Sequence, residues 1–140
     1  TSFEAPNSPH VFSAEWKPKV DFDLQMNSNP LGDNLYEAIL DVTVTTKVAM
    51  EENGKTEDKT AFLAEIHQAG IFSIEGFKEE EIEQILATTA QEILFPYARE
   101  FVTGLVSKGG FPQMLLPPVN FNALYLEHKN KNKEKVEAVN

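Results

Sequence analysis

Cysteine is absent from the 140 residues. Its absence excludes disulfide scaffolds, thiolate zinc sites and cysteine nucleophiles together, and it leaves the compartment open, because a chain without thiols suits any redox potential. The cytosol is then the default expectation. Nowhere do apolar residues run to the roughly 18 in succession that a membrane helix needs, and no basic-then-apolar leader opens the chain. A soluble chain without an export signal or membrane insertion is expected. It begins on threonine and enters a strand-like Ser-Phe-Glu at once, so the start is taken as cut. Basic residues are scarce: 12 Lys and Arg stand against 22 Asp and Glu, for a net charge of −10. Such a charge repels phosphate backbones and anionic lipid, which argues against nucleic acid and favours a basic or apolar partner.

Catalytic signatures are missing as well. Histidines 10, 67 and 128 have no metal-ligand spacing and no cysteine to help them, so neither a metal nor a cofactor is expected. Asp21 and Asp23 share a strand face about 7 Å apart, a spacing that carboxylate enzymes also use, but exposed strand carboxylates ordinarily ionise independently. No GxGxxG, GxxxxGK[ST] or GxSxG run occurs, and no enzyme is expected.

The apolar content allows a real though modest core for one domain: 41% of residues are hydrophobic, and 10 Phe, 3 Tyr and 1 Trp supply bulk. Residues 1–19 hold three prolines together with Phe3, Val11, Phe12 and Trp16, which predicts a short strand and then an irregular crossing segment. From Val20, apolar and acidic residues alternate through Leu24, the period-2 pattern of a half-buried strand, and the turn cluster 27–34 ends it. The clearest strand follows, with Tyr36, Ala38, Leu40, Val42, Val44 and Val48 on its core face. A charged hairpin tip, 51–59, centres on Asn53-Gly54 and is expected to exceed the two-residue minimum. A fourth strand turns Phe62, Ala64, Ile66, Phe72 and Ile74 inward and Leu63, Glu65 and His67 outward, with Gly70 marking a bulge or a close backbone approach.

After Gly76 the period lengthens to that of a helix, opened by Glu79, Glu80 and Glu81. Pro96 predicts a break or kink near Phe95 and a second helix from Pro96 toward Lys108 with Tyr97, Phe101 and Leu105 buried. Residues 111–118 are too rich in proline for regular structure and too apolar for a solvated loop. Asn120 is the expected N-cap of a last helix. Four strands and then helices make an α+β plan, a four-stranded antiparallel sheet with helices packed on one face. Its other face would carry Glu4, Asp21, Asp23, Glu37, Asp41 and Glu65. Residues 129–140 carry +2 and the rest −12.

The apolar surplus in the two irregular segments has two readings. Each segment lids the core, or together they wall an apolar groove suited to extended, sequence-tolerant ligands, for which Met and aromatics are adaptable linings. A small-molecule carrier or an obligate structural subunit would use the same residues as a closed pocket or a fixed interface. An enclosed cavity favours the carrier, and a solvent-open groove favours a binder of extended chains.

The runs SFEAPNSPHVF (2–12), GIFSI (70–74), ILFPYARE (93–100) and GGFPQMLLPPVNFNALY (109–125) closely resemble the SecB family of bacterial protein-export chaperones, in order and over nearly the whole chain. The resemblance implies a SecB-like chaperone domain over 1–128, with 129–140 a polar, frayed tail. It also implies a cytoplasmic homotetramer, a dimer of dimers. Such an assembly is an ATP-independent holdase that binds unfolded precursor proteins and delivers them to the SecA motor. Position by position, Phe12 and Trp16 resemble the family's crossover loop, Tyr97 and Phe101 its main helix, and Phe111, Met114 and Leu116 its helix-connecting loop, the lining of the client groove. Glu4, Leu63 and Glu65 resemble positions that contact SecA through its C-terminal zinc-bearing segment, so that the metal belongs to the partner. The chain departs from the family in lacking a strand-forming segment before SFEAP, in having Ala64 and the run LATTAQ where relatives often carry cysteine, and in its longer hairpin tip.

Overall fold

A computed structural model describes residues 1–139. The architecture is the α+β plan expected, a four-stranded antiparallel sheet with helices. The strands are β1 (Ser2–Glu4), β2 (Lys19–Gly32), β3 (Leu35–Glu52) and β4 (Lys55–Ser73), in spatial order β1-β4-β3-β2. Helices α1 (Glu79–Ala87), α2 (Thr89–Lys108) and α3 (Phe121–Val139) follow. The chain gathers into two compact units. The first comprises Thr1–Gln25, Asp41–Gln68 and Tyr97–Leu116, and the second Met26–Leu40, Ala69–Pro96 and Pro117–Asn140.

The first unit holds the core side of the central strands: Val42, Val44, Val48, Phe62, Ala64 and Ile66 are buried, as their alternation predicts. The pattern slips once, where Ala61 and Phe62 are buried side by side. The hairpin tip is shorter than expected. β3 runs to Glu52 and β4 starts at Lys55, leaving a two-residue turn of Asn53 (φ 53°) and Gly54 (φ 77°). Both backbone angles are left-handed, the geometry for which Asn-Gly is favoured between twisted strands, and the flanking charges extend the strands into solvent. Lys59 lies 3.4 Å from Glu57 and 4.0 Å from Glu52 there.

The buried stripe of α2 in this unit is Ala98, Val102 and Val106, whereas Tyr97 and Phe101, expected inside, are 57% and 53% exposed. Two apolar stripes lie side by side on this helix at i, i+4 spacing. The small side chains are the buried set, and small side chains let a helix axis come close to its neighbour.

In the second unit Asn120 caps α3 as expected, its Oδ1 accepting from the Ala123 N–H at 3.0 Å, and Phe95 meets Phe121 edge to face at 5.8 Å. Glu81 accepts from the Lys78 N–H at 3.2 Å, closing the start of α1. The helix break is at Thr88 (φ −121°, ψ −77°) and not near Phe95. The Gln84 carbonyl accepts both the Thr88 N–H at 3.0 Å and Thr88 Oγ1 at 2.7 Å, and buried Gln91 donates to the Leu86 carbonyl at 3.3 Å, so a side chain serves a carbonyl at the break. Pro96 sits inside α2. The hydrogen bond it forgoes would reach the carbonyl of Glu92, and both residues are exposed, so the loss falls on the solvent side of the helix. Gly70 is the close approach expected: a Cβ there would lie 3.0 Å from Leu94 and 3.1 Å from Phe72. Helix α3 continues through 129–139, the stretch expected as a tail, with a Glu127–Lys131 ion pair at 3.3 Å. Asn140 lies outside the described residues.

Candidate functional site

All the residues singled out for binding fall in the first unit. Phe111, just past the end of α2, is 5% exposed and stands at the centre of an aromatic cluster. Its ring centroid lies 4.9 Å from Phe12, 5.0 Å from Phe62, 5.8 Å from Trp16 and 6.2 Å from Phe3. Gly110, at φ 87°, makes the turn that delivers it. Phe12 belongs to a short 3-10 turn, His10–Ser13, anchored by buried Val11. The structure therefore brings together Phe12, Trp16 and Phe111 from the two irregular segments. Phe12 is half exposed and Trp16 partly so, which leaves an apolar rim on a packed floor.

Met114 is held near α2, where the Thr103 hydroxyl lies 3.0 Å from both the Met114 and Arg99 carbonyls. Leu116 is fully buried and so presents no surface to a ligand. Its neighbour Leu115, left out of the expected lining, is 61% exposed. The proline-flanked loop has no period from which its outward residue could be read. Tyr97 and Phe101 stand one turn apart on α2, and among the described residues neither ring touches the cluster in an aromatic contact.

The second set lies on the other side of the sheet. β1 pairs antiparallel with β4 in the register Ser2–Glu65, Phe3–Ala64 and Glu4–Leu63. Directly paired residues share a face, so Glu4, Leu63 and Glu65 come together on one side while Phe3 turns to the other. Glu4 is exposed, and Leu63 and Glu65 are half-buried. Ser2 Oγ reaches Glu65 at 3.5 Å. Two residues further along the same face, His67 Nδ1 bonds Asp41 Oδ1 at 2.6 Å. Among the described residues no group of three or more His, Asp or Glu is placed to hold a metal ion, and no helix is long and apolar enough to cross a membrane.

Fold and site define an α+β protein with an aromatic cluster on one side of its sheet and the carboxylates of Glu4 and Glu65 on the other. The comparisons with known proteins make this particular. The family model described as preprotein translocase subunit SecB matches residues 1–132. The protein-export protein SecB of Methylococcus capsulatus is 52% identical over 126 residues, covering 90% of this chain and 76% of that one. Its counterpart in Hydrogenovibrio crunogenus is 47% identical over 133 residues, covering 95% and 84%. A solved SecB-like chaperone of Mycobacterium tuberculosis, in complex with an antitoxin peptide, has the same fold at 20% identity and a TM-score of 0.59, covering 74% of each chain. The chain belongs to the SecB family, whose members are chaperones and not enzymes.

Proposed function

We propose that this chain is an ATP-independent holdase of the cytoplasm that binds unfolded precursor proteins on its aromatic face and delivers them to SecA through its acidic one. The observation that carries the reading is Phe12, half exposed and stacked on buried Phe111. A large apolar ring kept partly in water on a rigid support is what an extended apolar segment can cover. Phe12, Trp16, Met114, Tyr97 and Phe101 are the contact residues of this proposal, with Phe111 as the floor. Membership of a family of export chaperones supports it.

On the opposite face, Glu4 and Glu65 attract a cationic segment and Leu63 offers it an apolar foothold. The partner proposed is the C-terminal, zinc-bearing segment of SecA. Charge steers the encounter and Leu63 contributes burial. The working assembly proposed is a homotetramer, a dimer of dimers.

The test is a titration of a permanently unfolded, carboxymethylated protein against wild type and Phe12→Ala with Trp16→Ala, without nucleotide. The double variant is expected to loosen the client by about 1–3 kcal/mol, with only weak dependence on salt because the contact is apolar. Unchanged affinity in a folded double variant removes the aromatic face from the function.

A further inference from the structure

We propose that Asn7 is a positioning residue for the aromatic face: its side chain ties the turn that carries Phe12 to β4 and so sets where that ring stands over Phe111. The inference rests on the reading of the aromatic face as the client surface and names what holds its rim in place. The Asn7 side-chain amide donates to the Thr60 carbonyl at 2.9 Å, between residues 53 apart in sequence. A carbonyl only accepts, so the amide nitrogen is the atom that faces Thr60. The backbone carbonyl of Asn7 accepts from the Val11 N–H at 2.9 Å, and the Phe12 N–H donates to the Pro9 carbonyl at 3.1 Å, within the turn His10–Ser13. One residue thus bonds the strand with its side chain and the turn with its backbone.

Thr60 stands where β4 leaves strict alternation, since Ala61 and Phe62 after it are buried side by side. Such a slip is what a bulge produces, and a bulge disturbs the ladder and frees strand groups for other partners. The same stretch of β4 supports the floor, because Phe62 lies 5.0 Å from Phe111. Phe111 is therefore placed through Phe62 and Phe12 through Asn7, which fixes the two rings against each other at 4.9 Å. Val11, 2% exposed, also holds the turn down. Burial has no direction, however, whereas a hydrogen bond sets distance and angle. Phe12 is 50% exposed, so packing does not confine its ring on every side.

The experiment uses Asn7→Asp in the full chain, which keeps the side chain's size and turns an acceptor toward the Thr60 carbonyl. Trp16 is the sole tryptophan and stands 5.8 Å from Phe111, so its fluorescence reads this segment directly. Its quenching by acrylamide should rise and its emission should move to longer wavelength in the folded variant. Affinity for the carboxymethylated client should fall about three- to tenfold, the weight of one hydrogen bond. Phe12→Ala should weaken the client in the wild-type background, yet added to Asn7→Asp it should cost little more, because the ring is already out of place. Asn7→Ala, which removes the donor without adding charge, should match Asn7→Asp within about twofold. A merely structural asparagine would lower the urea midpoint and leave the client affinity of the folded protein unchanged.

Client affinity unchanged in the folded Asn7 variants overturns the proposal, as do effects of Asn7→Asp and Phe12→Ala that multiply. If Phe12→Ala with Trp16→Ala leaves client affinity unchanged, the reading of the aromatic face falls and the positioning role with it, while Trp16 fluorescence in Asn7→Asp still reports the tether itself. Should Asn7→Asp not fold, Asn7→Ala carries the same set, since it gives up the bond to Thr60 without setting a carboxylate against a carbonyl.

Discussion

Phe12 and Phe111 are in stacked contact, yet their substitutions should fail in different ways. Phe111 is buried at the centre of four other rings, so Phe111→Ala leaves a cavity and should cost about 3–5 kcal/mol of folding stability. Phe12 keeps half its surface in water, and Phe12→Ala should cost only about 1 kcal/mol. Urea unfolding of the two variants checks the difference. Equal losses would mean that Phe12 is part of the core and not a rim held open to a ligand. Side-chain identity alone does not separate these roles: both are phenylalanines in irregular, proline-flanked sequence. What separates them is that Gly110 folds the chain back to bury one ring under the other. Leu115 and Leu116 repeat the point, adjacent and chemically alike, one exposed and one buried. The acidic residues were easier to read. Glu4, Leu63 and Glu65 follow from strict alternation on two strands, and the observed register joins them.

Strands were more legible than helices because period 2 admits only two faces, whereas a helix rich in apolar residues offers several. In α2 the bulkier stripe, Tyr97 and Phe101, points to solvent and the smaller one packs, a choice that depends on how closely the helix approaches its neighbours and so is absent from the periodicity. The charged run around Asn53-Gly54 suggests a long loop, yet Lys55 and Glu57 sit in a strand with both faces wet, so the turn is only two residues. A proline in apolar helical sequence suggests a break or kink, and the break falls instead at Thr88. The proline's place inside α2 gives a direct prediction: Pro96→Ala restores an N–H toward Glu92 and relieves the ring's clash, offset by the greater freedom of the unfolded chain. A net gain of about 1–2 kcal/mol in urea unfolding is expected. A loss would show that the helix needs the bend a proline imposes. At the start of α3, Asn120→Ala removes the bond to the Ala123 N–H and should cost about 1 kcal/mol.

The isolated chain keeps large apolar side chains in water that a single small domain has no need to show, among them Phe12, Tyr97, Phe101 and Leu115 in the first unit and Ile71, Phe77 and Ile93 in the second. On the proposed function some of this surface serves a client and some serves other copies of the chain, and the two uses are experimentally separable. Light scattering at micromolar concentration should give four times the 15.7 kDa of one chain. Tyr97→Ser with Phe101→Ser then assigns the α2 stripe. Both side chains are more than half exposed, so the change leaves the core intact and should shift stability by less than about 1 kcal/mol. If the stripe lines the client groove, mass stays that of a tetramer and affinity for the unfolded protein falls by about 1–3 kcal/mol. A drop in mass would instead assign the stripe to contact between copies and leave Phe12 and Trp16 as the client face. Glu4→Lys with Glu65→Lys is the complementary control. With a net charge of −10 the chain attracts cations at long range, so reversing two charges should slow capture of the SecA segment most at low salt and less as salt screens the field. Client affinity should be untouched, because Glu4 and Phe3 point to opposite sides of the same strand.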